Sequence, residues 1–131
     1  MSTPLILLAD DEPHITHIIS LKLTRAGLDV VVVEDGEMAL KAAIERRPDA
    51  IVTDLQMPYL SGIELAQQLS TNEQCKDIPI ILLTARGYAV EEELENLPSI
   101  KKMLSKPFSA KDLLRDINAL LSSDGREERA A

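Results

Sequence analysis

The stretch of this chain that leaves the fewest folds open is Ala50 to Gly62, reading Ala-Ile-Val-Thr-Asp-Leu-Gln-Met-Pro-Tyr-Leu-Ser-Gly. It runs apolar through Ile51 and Val52, meets a single carboxylate at Asp54, and breaks at Met57-Pro58 and Gly62. A buried parallel strand ends in a loop in this way. Asp54 is thereby placed at a strand's carboxyl end, the edge at which open α/β sheets bind their ligands. An Asp in such a place also commonly terminates a strand or caps a helix, so position alone leaves both roles open.

The remainder of the chain alternates short apolar runs with amphipathic stretches. Pro4 to Ala9 is an aliphatic run that ends abruptly at Asp10-Asp11-Glu12, and it is expected to be a first buried strand. From Pro13 to Ala26 the positions Ile15, Ile18, Ile19, Leu23 and Ala26 follow helical spacing, with Pro13 suited to a first turn and Gly27 to a stop. His14 and His17 lie on this helix, but no third ligand follows at metal-site spacing. The β-branched run Asp29 to Val33 reads as a second strand. Glu34-Asp35-Gly36 then leads into a helix carrying Leu40, Ala43 and Ile44, which Arg46-Arg47-Pro48 closes.

Beyond Asp54, Gly62 to Leu69 predicts a third helix and Ile78 to Leu83 a fourth strand that finishes in Thr84-Ala85. A short Glu-rich helix is expected over Val90 to Leu97, cut by Pro98, and a fifth strand over Ile100 to Ser105. Lys106-Pro107-Phe108 follows. Ser109 with Asp112 then forms a capping box ahead of Leu113, Leu114, Ile117 and Leu121 in the last helix. The polar residues 122–131 read as a tail or the start of a linker, leaving one domain over residues 1–121.

Composition narrows the partners. The net charge of −8 and the pI near 4.7 argue against direct contact with nucleic acid and favour cations or basic partners. With a single cysteine, Cys75, no intrachain disulfide can form, and a reducing cytoplasm is expected. The apolar run Leu5 to Ala9 is too short for a membrane span or a signal segment. An aromatic content of 2% leaves aliphatic side chains to fill the core.

Strands alternating with helices about five times over imply an α/β, doubly wound, flavodoxin-like parallel sheet with helices on both faces. The polar residues that end separate strands then converge on one edge: Asp10 and Asp11, Asp54, Thr84 and Lys106. Crowded carboxylates repel one another unless a hard cation neutralises them, and oxygen ligands suit Mg²⁺. A hydroxyl and an ammonium opposite them are suited to holding phosphoryl oxygens.

On these residues the chain resembles the receiver domain of two-component response regulators, in particular the chemotaxis-regulator type. The resemblance covers residues 4–121. It rests on Leu-Leu-Ala-Asp-Asp-Glu at 7–12, Glu-Asp-Gly-Glu-Met-Ala-Leu at 34–40, Pro-Asp-Ala-Ile-Val-Thr-Asp-Leu-Gln-Met-Pro at 48–58, Leu-Thr-Ala at 83–85 and Lys-Pro-Phe at 106–108. The likeness implies five parallel strands in the order 2-1-3-4-5, with Asp54 as phosphoacceptor. It implies Mg²⁺ held by Asp10, Asp11, Asp54 and the Gln56 backbone carbonyl. Thr84, Ala85 and Lys106 would bind the phosphoryl group and switch, and the bond before Pro107 would be cis. The implied partners are a histidine kinase or phosphotransfer protein and an unidentified downstream protein or output domain. The implied state is a monomer or a phosphorylation-dependent dimer, and the only catalysis is of the domain's own phosphorylation and dephosphorylation.

Two departures accompany the likeness. Met103 stands where such domains usually carry Tyr or Phe, and Asn96-Leu-Pro-Ser-Ile100 replaces the usual turn before the last strand. A smaller shift of the output surface on phosphorylation is expected from a flexible Met in place of a ring. A haloacid-dehalogenase-type phosphatase would need a second Asp where Gln56 stands, and a dinucleotide-binding domain a Gly-rich turn where Asp10-Asp11 stand. The remaining alternative is an interaction module of the same fold that ignores phosphorylation.

Overall fold

The computed structural model describes residues 3–85 and 96–123. Five strands, β1 (Leu5–Ala9), β2 (Asp29–Val33), β3 (Ala50–Asp54), β4 (Ile80–Thr84) and β5 (Ile100–Ser105), form one parallel sheet in the order β2-β1-β3-β4-β5. Four helices are described: α1 (Pro13–Arg25), α2 (Gly36–Arg46), α3 (Gly62–Ser70) and α4 (Ala110–Ser123). The helix expected over residues 90–97 lies almost wholly outside the described residues. Of its span, Leu97 is buried in the core.

The central strands are apolar on both faces because helices cover both. On one face Leu7, Ala9, Ile51 and Leu82 pack with Ala39 and Ala43 of α2 and Leu65, Ala66 and Leu69 of α3. On the other, Ile6, Leu8, Val52 and Leu83 pack with Ile19 and Leu23 of α1 and Leu113, Ile117 and Leu121 of α4. Most of these side chains are wholly buried, each Leu or Ile contributing about 1.5–3 kcal/mol relative to exposure. Two helix positions read as apolar face turn out otherwise: Ile18 is 58% and Ile44 43% exposed. Both sit where helical spacing still reads as the apolar stripe, but the curved sheet reaches only the part of each stripe centred on Ile19 and Ala43.

Local signals explain the boundaries. Pro13 occupies the first turn of α1, and Gly27 beyond its end has φ of 93°, the left-handed conformation a helix stop requires. Asp35 accepts from the Met38 N–H at 2.8 Å to open α2, and Arg47 closes it in left-handed geometry. Ser61 and Glu64 form a reciprocal capping box on α3. At α4 the Ser109 hydroxyl accepts from the Asp112 N–H at 2.9 Å. β4 begins two residues later than the apolar run suggests, since Pro79 cannot donate to a ladder.

The edges differ from the centre. β2 pairs only with β1 and leaves Val32 41% exposed. β5 pairs with β4 across a register shift at Ile80/Ile81 that leaves Lys101 and Lys102 both exposed.

Between β3 and α3 the chain makes a tight turn in which the Leu60 N–H donates to the Pro58 carbonyl at 2.8 Å, across Tyr59 at φ of 71°. This is the γ-turn of positive φ, the rarer and more strained kind. The same loop rests on the start of α2: a Cβ added to Gly36 would fall on the carbonyl oxygen and Cβ of Leu60. Tyr59→Gly is expected to relieve the left-handed strain and raise stability by about 0.5–1 kcal/mol after the extra freedom of the unfolded glycine is subtracted. A denaturation midpoint that moves up at unchanged slope would bear this out; an unchanged or lower midpoint would show that the turn is not strained.

Candidate functional site

The sheet's order reverses beside β1, where β2 lies on one side and β3 on the other, and the residues that leave these strands meet there. Asp10 follows β1 directly and is held by its own N–H donating to the Val33 carbonyl at 3.2 Å. Asp54 ends β3, whose last pairing is with Leu83 of β4. The Lys106 N–H donates to the Thr84 carbonyl at 2.8 Å, which carries the chain from β5 back over the sheet's edge, and the peptide bond that follows, Lys106–Pro107, is cis.

Carboxylate oxygens of Asp10, Asp11 and Asp54 all lie within 4.8 Å of one another, with Asp10 and Asp54 buried and Asp11 exposed. The Lys106 ammonium enters this group, with its Nζ 3.2 Å from Asp10 Oδ2, 3.2 Å from Asp54 Oδ1 and 2.9 Å from Glu12 Oε1. Above them lies a cavity of about 520 Å³, lined by Asp11, Glu12, Asp54 to Pro58, Thr84, Ala85 and Lys106. Thr84 is buried, while Gln56 and Ala85 are exposed at the rim.

Four carboxylates against one ammonium leave the site short of positive charge. Burial, and after it repulsion from Asp10, pushes the Asp54 carboxyl up to about 6, although Lys106 pulls the other way. Burial also raises Asp10, against the Glu12 backbone N–H and Lys106. Glu12 is held below the ordinary range, first by its hydrogen bond to Lys106 and then by that ammonium's charge. Burial disfavours the Lys106 charge, but the Glu12 hydrogen bond and the attraction of Asp54 and Asp10 outweigh it and hold the ammonium above its ordinary value. A cluster of hard oxygen donors whose buried members resist ionisation has the donor chemistry for a divalent cation such as Mg²⁺.

Every residue singled out from the sequence at the strand ends reaches this pocket's walls or floor: Asp10, Asp11, Asp54, Gln56, Thr84, Ala85 and Lys106. Met103 lies elsewhere, half-buried against the core face that carries Leu82 and Ile80. His14 and His17 are both exposed and neither lines the pocket, although His14 lies near enough to Glu12 for its charge to act there. Sequence reasoning missed Glu12, read only as the third of three acids that end a strand. Its partner is 94 residues away along the chain, so the one available signal was the unbroken Asp-Asp-Glu run.

A parallel sheet ordered 2-1-3-4-5, with its acids gathered where that order reverses, defines a flavodoxin-like domain of the kind typified by chemotaxis regulators. Within that class the family is settled by comparison: a family model described as the response regulator receiver domain matches residues 6–118, and the chain belongs to that family. It is 35% identical over 129 residues to the DNA-binding dual master transcriptional regulator RpaA of a Synechocystis strain, covering 98% of this chain and 53% of that one. The chain spans about half the length of the curated relatives it matches.

Among solved structures it is similar to the receiver domain of the Francisella response regulator 1452, with 36% identity, a TM-score of 0.81 and coverage of 92% and 98% of the two chains. It is also similar to the receiver domain of the sensor histidine kinase PA1611 from Pseudomonas aeruginosa, with 30% identity, a TM-score of 0.84 and coverage of 93% and 100%. That structure has a magnesium ion coordinated in its active site cleft. The chain is thus a regulatory receiver domain of the two-component type. Among the described residues no helix is long and apolar enough to cross a membrane.

Proposed function

We propose that Asp54 is the phosphoacceptor of this receiver domain, taking a phosphoryl group from the phosphohistidine of a cytoplasmic histidine kinase or phosphotransfer protein. The observation that carries the reading is that the buried carboxylate at the end of β3 faces both the open cavity and the Lys106 ammonium, at 3.2 Å. A carboxylate oxygen of Asp54 attacks phosphorus, a P–O bond forms, and the P–N bond to the donor's imidazole breaks. Hydrolysis of the resulting acyl phosphate returns the domain to its starting state.

Asp10, Asp11, Asp54 and the Gln56 carbonyl would hold Mg²⁺, and the magnesium ion in the similar Pseudomonas domain supports that assignment. Bound there, the cation supplies neutralisation of the carboxylates and of the transferring oxygens. Lys106 turns from Asp54 to a phosphoryl oxygen, a charge-assisted bond of the stronger kind, and the Thr84 hydroxyl on the facing strand end is placed to join it. Movement at Thr84 would pass to β5 and its surroundings. There Met103, half-buried where relatives usually carry a ring, repacks over a smaller range and gives a smaller shift of surface.

The domain is read as residues 1–121, with the polar residues 122–131 as a tail or the start of a linker, although the last helix runs on to Ser123. Its net charge of −8 argues against direct contact with nucleic acid, so any DNA contact of the kind named for its relatives would belong to another part of such a protein.

Incubation with acetyl phosphate and Mg²⁺ should add one phosphoryl group, seen by intact mass and removed by hydroxylamine, and Asp54→Ala should abolish it. No adduct on the parent chain, under conditions that label a control receiver, would favour the phosphorylation-independent interaction module instead.

A further inference from the structure

Glu12 stands out because its position gives it a different task from the one it performs. It is the residue that caps the start of α1, with extended geometry at φ −102° and ψ 100°, yet its side chain makes no capping hydrogen bond. Its backbone is pinned from both sides. Its N–H donates to Asp10 Oδ1 at 3.0 Å, and its carbonyl accepts from the Ile15 and Thr16 N–H groups, each at 3.1 Å. From this fixed base the side chain reaches across the pocket to Lys106, and at 2.9 Å it makes the shortest of that ammonium's three carboxylate contacts.

The three contacts are not equivalent. An ammonium has three N–H donors, and Asp10, Asp54 and Glu12 can occupy all of them. Asp10 and Asp54 also belong to the group of oxygens close enough to share a cation, whereas Glu12 does not. On the phosphoacceptor reading above, a cation draws on Asp10 and Asp54, and Asp54 becomes the site of the new P–O bond. Two of the three partners of Lys106 are then engaged elsewhere, and Glu12 alone keeps its geometry.

We propose that Glu12 is a positioning residue whose carboxylate is the fixed pivot on which Lys106 turns from Asp10 and Asp54 to an oxygen of the phosphoryl group. A lysine carries several rotatable bonds and, without a second anchor, would sample solvent as its partners change. The pivot restricts that sampling, so the ammonium arrives at the transferring group already directed, and the entropy of fixing it is not charged to the transfer step.

The proposal rests on the phosphoacceptor reading but has a readout of its own. In the metal-free, unphosphorylated protein, the Lys106 ammonium should give a slowly exchanging ¹H–¹⁵N resonance in the parent, broadened beyond detection in both Glu12→Gln and Glu12→Asp. Adduct formation from acetyl phosphate separates reach from charge. Glu12→Gln keeps the length and an acceptor oxygen, while Glu12→Asp keeps the charge but is about 1.5 Å shorter. A pivot predicts slowing by about fivefold for Gln and about tenfold or more for Asp, at unchanged melting temperature.

If the parent takes up the phosphoryl group and both variants match it, or if Asp matches the parent while Gln is slow, the pivot is overturned. The second pattern would mean that the acid acts through charge alone. Slowing that tracks a fall in melting temperature would make Glu12 merely structural and equally overturn it. Failure of the parent to accept phosphate would instead remove the phosphoacceptor reading, and the lysine resonance would still decide whether Glu12 holds Lys106.

Discussion

Asp54→Asn is expected to melt above the parent protein in chelator at pH 7, although it removes the acceptor. The native Asp54 carboxyl is raised to about 6 by burial and by Asp10, whereas in the unfolded chain it titrates near 3.9. Between those values the folded state binds more protons than the unfolded state, so stability falls as pH rises from about 4 to about 6 and stays low above it. The span of about two pH units corresponds to at most on the order of 3 kcal/mol. That span already contains the opposing pull of Lys106, and the imperfect fit of an Asn amide in a carboxyl's place offsets a further part of the gain. A net stabilisation of about 1–2 kcal/mol, or roughly 3–8 °C in melting temperature, is therefore expected at pH 7.

Thermal melts of parent and variant from pH 4 to 8 should diverge across this window, and subtracting one profile from the other cancels the carboxylates they share. Millimolar Mg²⁺ should close much of the gap by stabilising the parent alone, since ligands that bind only the folded state raise its stability. An Asn variant that melts at or below the parent at pH 7 in chelator would show that Lys106 already compensates Asp54.

The second large effect is expected at a residue remote from the carboxylates. Gly36→Ala places a methyl group where the backbone of Leu60 runs, and backbone cannot swing away as the end of a side chain can. The Gly36 N–H also donates to the Pro58 carbonyl at 3.3 Å, so the start of α2 and the loop after β3 are pressed and bonded together. Overpacking of this kind costs about 1–3 kcal/mol. Because the displaced loop carries Gln56, Met57 and Pro58 of the cavity wall, phosphoryl uptake should fall along with the denaturation midpoint. A variant with parental stability and uptake would show that the loop has room to retreat.

Periodicity and punctuation made most of this architecture legible. Asp29–Val33 and Ile100–Ser105 match their expected strands residue for residue, and the central strand ends at Asp54 as expected, because each is bounded by a strong breaker and has the length of a strand and not of a helix. The gathering of Asp10, Asp11, Asp54 and Lys106 was legible too, since parallel strands must all end at the same edge.

What the sequence did not disclose depends on neighbours distant along the chain. Ile18 and Ile44 have the spacing of core residues, and only the extent of the sheet decides that they face out. Glu12 looked like punctuation because its significance comes wholly from Lys106. The strained turn at Tyr59 could not be anticipated either, for nothing in Met-Pro-Tyr-Leu requires positive φ until the loop is pressed against Gly36.

The outer strand β2 carries a consequence for how the protein behaves in a concentrated solution. Asp-Val-Val-Val-Val has an unpaired backbone edge among the described residues and a half-open apolar flank, the makings of a template for intermolecular strand addition. What stands against this is the charge at its two ends, Asp29 on one side and Glu34 and Asp35 on the other, which act as gatekeepers. Asp29 and Glu34 are exposed, so replacing them would leave the packing of the sheet intact while removing part of what guards its edge. Colloidal stability and conformational stability are therefore set by different residues: the fold is held by the two buried clusters that flank the sheet, while copies are kept apart by charges at the ends of its outer strand.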